Sequence, residues 1–157
     1  MIRLTRQADY AILLLSHVAA GQEGAVHAAP DLASETGVPV PMVSKILKLL
    51  ARGGLLVSSR GAHGGYRLAR APEDISMADI VVAIEGGISM TSCSDGGDSS
   101  CRLESRCRVH ANWQKLNKVV VGALARVSLA EMAQPLPDAL VTLDFAPATA
   151  REATHAR

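Results

Sequence analysis

Aromatic residues are almost missing from this chain: one Trp, two Tyr and one Phe among 157 residues, namely Trp113, Tyr10, Tyr66 and Phe145. Its core must therefore be assembled from Leu, Val, Ile and Ala, a supply that favours packed helices. Cysteine is scarce as well, and three is an odd number that cannot pair fully within one chain, which speaks against a disulfide framework. Long apolar runs are also lacking. The run AILLLSHVAA, behind the charged start MIRLTRQADY, is too short to span a bilayer and has no small-residue cleavage pattern, so a cytoplasmic chain with no membrane association is expected. Neither a nucleophile–base pair nor a phosphate-binding glycine loop is found: GAHGG at 61–65 lacks the Lys and the following helix of a nucleotide site. An enzyme acting on a small-molecule substrate is accordingly not expected.

What is present is a 48% hydrophobic chain able to bury one moderate core. The net charge of +1 is unevenly spread. Residues 1–72 carry eight Lys/Arg against four Asp/Glu, 73–100 none against six, 101–134 six against two, and 135–157 two against three. A basic front half suits phosphate contacts, although so small an excess is equally an ordinary solvated surface.

Thr5 is placed to cap a first helix over about 6–20 that ends at Gly21. HAAPDLASETG predicts a short second helix with Pro30 in its first turn, Leu32 and Ala33 inward and Gly37 closing it. In PMVSKILKLLARGG, Pro41 starts a third helix, and Val43, Ile46, Leu47 and Leu50 fall at i, i+3, i+4, i+7 on one face. Two extended stretches follow, LLVSSR and YRLAR, joined by GAHGG as a hairpin. SMAD at 76–79 and SLAE at 128–131 both read as capping boxes, Ser at the N-cap and an acid at N3. In HANWQKLNKVVVGALAR the apolar stripe is Trp113, Leu116, Val120, Leu124 and Val127, which packs either on its own domain or on a second copy. Residues 135–157, rich in Ala, Pro and Thr, read as a disordered tail.

Helix, short helix, tight turn, helix and glycine-turned hairpin is the order of a winged helix-turn-helix. Its third helix must offer small and basic side chains to a major groove, and Met42, Ser44, Lys45 and Lys48 do so. Pro41 and the amides beside it would aim a positive dipole end at a phosphate. On the hairpin, Arg60 and His63 sit where a wing could reach DNA, and Gly61, Gly64 and Gly65 would allow close approach. Singly, each has a plainer reading: a Lys-bearing face is usually solvated, Ser44 is incidental, and His63 is a bystander. Together, with a hairpin directly behind the helix, they point to double-stranded DNA as partner. A winged-helix protein-interaction module is the competing reading, because fold alone does not settle function.

All three cysteines lie in CSDGGDSSCRLESRC at 93–107, separated by seven and then five residues. Structural zinc sites normally use close CxxC pairs, and none occurs. Wider gaps in a glycine-rich loop fit a larger object such as an iron–sulfur cluster, and Arg102, Arg106 and Arg108 would offset thiolate charge. A fourth ligand could be His110, one helical turn beyond Cys107, or Asp9 of a partner chain. The plainer readings are a polar helix start for His110, a dipole-stabilising acid for Asp9 and free thiols in a loop for the cysteines. A cluster-free thiol or zinc switch on the same scaffold stays open.

The pieces IRLTRQADYA, VSKILKLLARGGLL, SSRGAHGGYRLAR, ISMADIVVAIEG, the three cysteines and CRVHANWQKLN resemble, in order, the Rrf2 family of bacterial transcription regulators. RGAHGGYRLAR, NWQKLN and SLAEMA are most similar to the branch that regulates the SUF iron–sulfur assembly operon. The resemblance covers about residues 1–134. It implies a mainly α fold with a small β-hairpin, divided into a winged helix-turn-helix DNA-binding domain (1–86), a cysteine-bearing cluster loop (87–110) and a dimerisation helix (111–134). It also implies a homodimer that represses transcription according to its cluster state, with 2Fe–2S favoured and 4Fe–4S possible. By position, Cys93, Cys101 and Cys107 match the cluster ligands, His110 the histidine ligand of IscR-like members, and Asp9 the helix-one acid of some NsrR-like members. The chain departs from both in its first cysteine gap, seven residues where they have five, which leaves the cluster type and fourth ligand open.

Overall fold

In the computed structural model, residues 4–61, 64–91, 94, 101 and 106–135 are described. Thr5 caps α1 (Arg6–Ala20) as its oxygen accepts the Ala8 N–H at 3.2 Å, and its hydroxyl donates to the Glu85 carboxylate. The side chain thus serves two helices at once. α2 (Ala29–Thr36) carries Pro30 in its first turn and stops at Gly37. α3 (Val40–Arg52) begins one residue before Pro41, on Pro39 as N-cap. Its Val43, Ile46, Leu47 and Leu50 are all buried, as the spacing requires.

β1 (Leu56–Ser59) and β2 (Gly65–Leu68) form an antiparallel hairpin in the register Leu56↔Leu68 to Ser59↔Gly65. A third short segment joins it. His27, between α1 and α2, exchanges both backbone hydrogen bonds with Tyr66, at 2.8 and 2.9 Å. A single 3₁₀ turn (Pro72–Asp74) leads to α4 (Met77–Glu85), which Ser76 and Asp79 start as a reciprocal capping box.

The segment expected to hold the dimerisation helix, 111–134, contains two helices, the second beginning at the SLAE capping box as the sequence predicts. α5 (His110–Ala125) packs on α4, whereas α6 (Leu129–Ala133) packs on α1 and on the 3₁₀ turn. Ser128 and Glu131 cap α6 in the same way that Ser76 and Asp79 cap α4. The two boxes also meet: Met77 N–H donates to Val127 O at 2.9 Å and Leu129 N–H to Ile75 O at 2.7 Å, an antiparallel bridge between Ser76 and Ser128. Leu129 is thereby driven into the core, fully buried beside residues of α1, α3 and α4.

The inward stripe of α5 differs from the expected one. Leu116 is 43% exposed, and Asn117 takes the inward place between Trp113 and Val120. Steps of three and four both satisfy helical periodicity, so counting apolar residues chose the leucine. The amide is buried instead because backbone groups meet it there.

Candidate nucleic-acid interface and cysteine segment

α3 is built to present its outer face. It has no acidic residue, no side-chain cap and no acid in its first turn, so the positive end of its dipole is uncompensated. Pro41, Lys45, Lys48 and Arg52 recur at i, i+4, i+7 and i+11, and all are exposed. Ser44 lies half-buried beside them, and Met42 is half-buried with its side chain packed against the core. Arg52 was absent from the sequence-based set, although its spacing from Lys48 marks it.

On the hairpin, Arg60 and Gly61 are exposed and Gly61 has φ 109°. His63 lies outside the described residues. Strand alternation puts Leu56 and Leu68 toward the core and turns Val57 and Arg67 outward, which adds Arg67 to the exposed basic groups. Gly64 and Gly65 are required by the fold itself. A Cβ at Gly64 would lie 2.5 Å from Ser59 O, and one at Gly65 would lie 2.5 Å from His27 O. Both glycines admit the protein's own backbone, that of the hairpin at Gly64 and that of the His27 segment at Gly65.

Of the cysteines, Cys101 and Cys107 are half-buried and outside any disulfide, while Cys93 lies outside the described residues. His110 opens α5 and its N–H donates to Cys107 O at 3.3 Å. Its Nε2 lies 2.9 Å from the Gln114 amide nitrogen. Thiol and imidazole thus sit one turn apart, a donor set whose chemistry fits a thiolate-bound iron centre. Among the described residues, no three His, Cys, Asp or Glu side chains converge as a metal site. Asp9 is exposed in the first turn of α1, its N–H bonded to Thr5 O, as a helix-start acid would be.

Asn117 had no role in the sequence reading. Its Oδ1 accepts Met90 N–H at 3.1 Å, and its Nδ2 donates to Ile88 O at 3.0 Å and to Ser94 O at 3.3 Å. The available signal was a polar residue at an inward position of an otherwise apolar stripe.

The family model described as iron-dependent transcriptional regulator, Rrf2, matches residues 4–135. The chain belongs to the Rrf2 family. Among relatives, the HTH-type transcriptional regulator IscR of Photorhabdus laumondii is 32% identical over 132 residues, covering 83% of this chain and 79% of the relative. Protein aau3 of Rhizobium meliloti is 35% identical over 114 residues, 73% of each chain. Two solved structures share the fold. The cysteine regulator CymR of B. subtilis superposes with a TM-score of 0.65 at 22% identity over 85% of this chain and 97% of that one. IscR of T. potens superposes with 0.63 at 24% over 87% and 93%. As an Rrf2 protein the chain is a DNA-binding transcriptional regulator, not an enzyme. The winged-helix architecture expected from the sequence is the fold observed. No helix among the described residues is long and apolar enough to cross a membrane.

Proposed function

We propose that this Rrf2 regulator acts in the cytoplasm as a homodimeric repressor of an iron–sulfur assembly (SUF) operon, and that it senses cluster status through Cys93, Cys101, Cys107 and His110. The observation that carries this reading is the backbone hydrogen bond from His110 N–H to Cys107 O, which sets the two residues one turn apart at the head of α5. The iron-dependent family and the IscR relatives support it. A 2Fe–2S cluster is favoured, since three thiolates and one imidazole supply four ligands; Asp9 of a partner chain is the alternative fourth ligand. Bound there, the cluster would supply a centre labile to redox change and to reactive small molecules.

The protein's own part is mechanical. The cysteine segment joins α4 to α5, so a change in its order bears directly on α5. In the single chain α5 buries only one side chain, Asn117, while Leu116 and Val119 are 43% and 60% exposed, an apolar face suited to a second copy. Through such a dimer, a shift of α5 alters the separation of the two α3 helices, and half-site spacing on the operator converts that into affinity. Pro41, Ser44, Lys45 and Lys48, with a partial contribution from Met42, would meet the major groove; Arg60, Gly61 and His63 would meet the backbone from the wing.

Anaerobic purification tests the sensor. Visible absorption with matching iron and sulfide content is expected, lost in Cys93→Ser, Cys101→Ser and Cys107→Ser and altered in His110→Ala. A colourless, zinc-loaded protein would sink the cluster reading in favour of a thiol or zinc switch. Gel shifts with DNA upstream of SUF assembly genes test the target, and absence of a specific complex with either loaded or metal-free protein would remove it.

A further inference from the structure

One side chain of α5 holds the arm that follows α4, at Ile88, Met90 and Ser94, to that helix. Asn117 is 8% exposed and Ser94 is 9% exposed. The amide uses its acceptor on Met90 N–H and both donors on Ile88 O and Ser94 O. Ser94 is further fixed by its own turn: its N–H donates to Thr91 O at 2.9 Å and its Oγ accepts Thr91 N–H at 3.0 Å. Cys93 is the next residue in the chain before Ser94. On α5, His110, Gln114 and Asn117 fall at i, i+4 and i+7, one helix face with an axial span of about 10 Å.

An apolar residue at 117 would continue the stripe of Trp113, Val120 and Leu124 at no desolvation cost. A buried amide is stable only with its partners in place, so it selects one arrangement of the arm where a leucine would accept many. We infer that Asn117 is a positioning residue that pins the arm carrying Cys93 to the same face of α5 that begins at His110. The ends of the segment are thus set by the protein alone, which removes much of the loop-closure entropy otherwise charged against ligand binding. The consequence for cluster retention rests on the proposed function; the pinning itself does not.

The test uses the full chain with Asn117→Ala, Asn117→Asp and, as a control on the exposed side of α5, Lys115→Ala. In Asn117→Ala, amide exchange at Met90 and Ser94 and iodoacetamide labelling of Cys93 in metal-free protein are expected to rise roughly tenfold, with α3 amides still protected. Chelator-driven loss of the reconstituted cluster is expected to accelerate by a similar factor, and Lys115→Ala to change none of these. If Asn117→Ala loses α3 protection, Asn117→Asp decides: it keeps the acceptor for Met90 N–H and removes both donations, so Ser94 exchange and Cys93 labelling should still rise. Native labelling and cluster-loss rates in a variant whose α3 stays protected would overturn the inference and leave Asn117 a simple tether. Should the native chain hold no cluster, the functional reading falls, and amide exchange with Cys93 labelling alone settles the positioning role.

Discussion

Ser76 and Ser128 stand opposite one another in an antiparallel bridge, and each is the N-cap of its own helix. Two capping boxes 52 residues apart are thereby joined back to back, and the join carries Leu129 into the core. α6 is thus part of the same packed unit as α1. Leu129→Ala is expected to cost about 2–5 kcal/mol, since it empties a fully buried site. Ser128→Ala should cost about 0.5–2 kcal/mol through the lost cap. Thermal and urea denaturation measure both; a native melting temperature in Leu129→Ala would show that α6 does not contribute to the domain.

Glu131 makes the Ser128 cap dependent on pH. The Ser128 backbone N–H, at 2.7 Å, and then its hydroxyl, at 2.8 Å, donate to the carboxylate and hold its pKa below the ordinary value of 4.5. A lowered folded-state pKa means that the ionised form stabilises the fold. That contribution is complete above the unfolded value near 4.5 and is lost as pH falls through the folded one. The stability difference between the native chain and Glu131→Gln should therefore be constant at neutral pH and shrink in acid. A difference that does not change across that range would exclude the carboxylate as its source.

The hairpin depends on the absence of a side chain at Gly65, where a Cβ would meet the His27 carbonyl at 2.5 Å. Gly65→Ala must push His27 away from Tyr66 and break their two hydrogen bonds. A destabilisation of about 1–3 kcal/mol is expected from such overpacking, together with faster exchange of the Tyr66 amide and weaker DNA binding through a displaced wing. A protected Tyr66 amide in the variant would show that the close approach is easily relieved.

Much of this fold is legible in the residues because the punctuation is local. Thr5, Gly21, Gly37, Ser76 and Ser128 mark helix ends that the structure keeps, and Val43 to Leu50 mark the buried face of α3. What was not legible is pairing over distance. Nothing near SMAD announces SLAE as its neighbour, and nothing near GAHGG announces His27. Asn117 was passed over for the same reason: the apolar rule prefers Leu116, and the three backbone groups that reverse the preference lie 23 to 29 residues away. In the candidate interface, the lysines of α3 were found from period and charge. The close packing at Gly65 is not legible in the sequence because the neighbour that requires it, His27, comes from elsewhere in the chain.

Lys45 and Ser44 divide affinity from specificity on α3. Lys45 is exposed on a face shared with Lys48 and Arg52 and with no acid on the helix to offset it. As a phosphate contact it should contribute equally to every sequence, and Lys45→Ala should lower the magnitude of the slope of log K against log salt by about 0.9 per site lost. Ser44 is shorter and half-buried on the same helix, a small hydroxyl side chain of the kind that can read base edges. Substituting Ser44 should leave that slope unchanged while altering the ranking of operator variants, by about 1–3 kcal/mol for any base pair it reads. Titrations of operator and random duplex at several salt concentrations separate the two effects. An unchanged slope in Lys45→Ala would remove that residue from the interface, and an unchanged ranking in Ser44 variants would reduce Ser44 to a spacer on the helix.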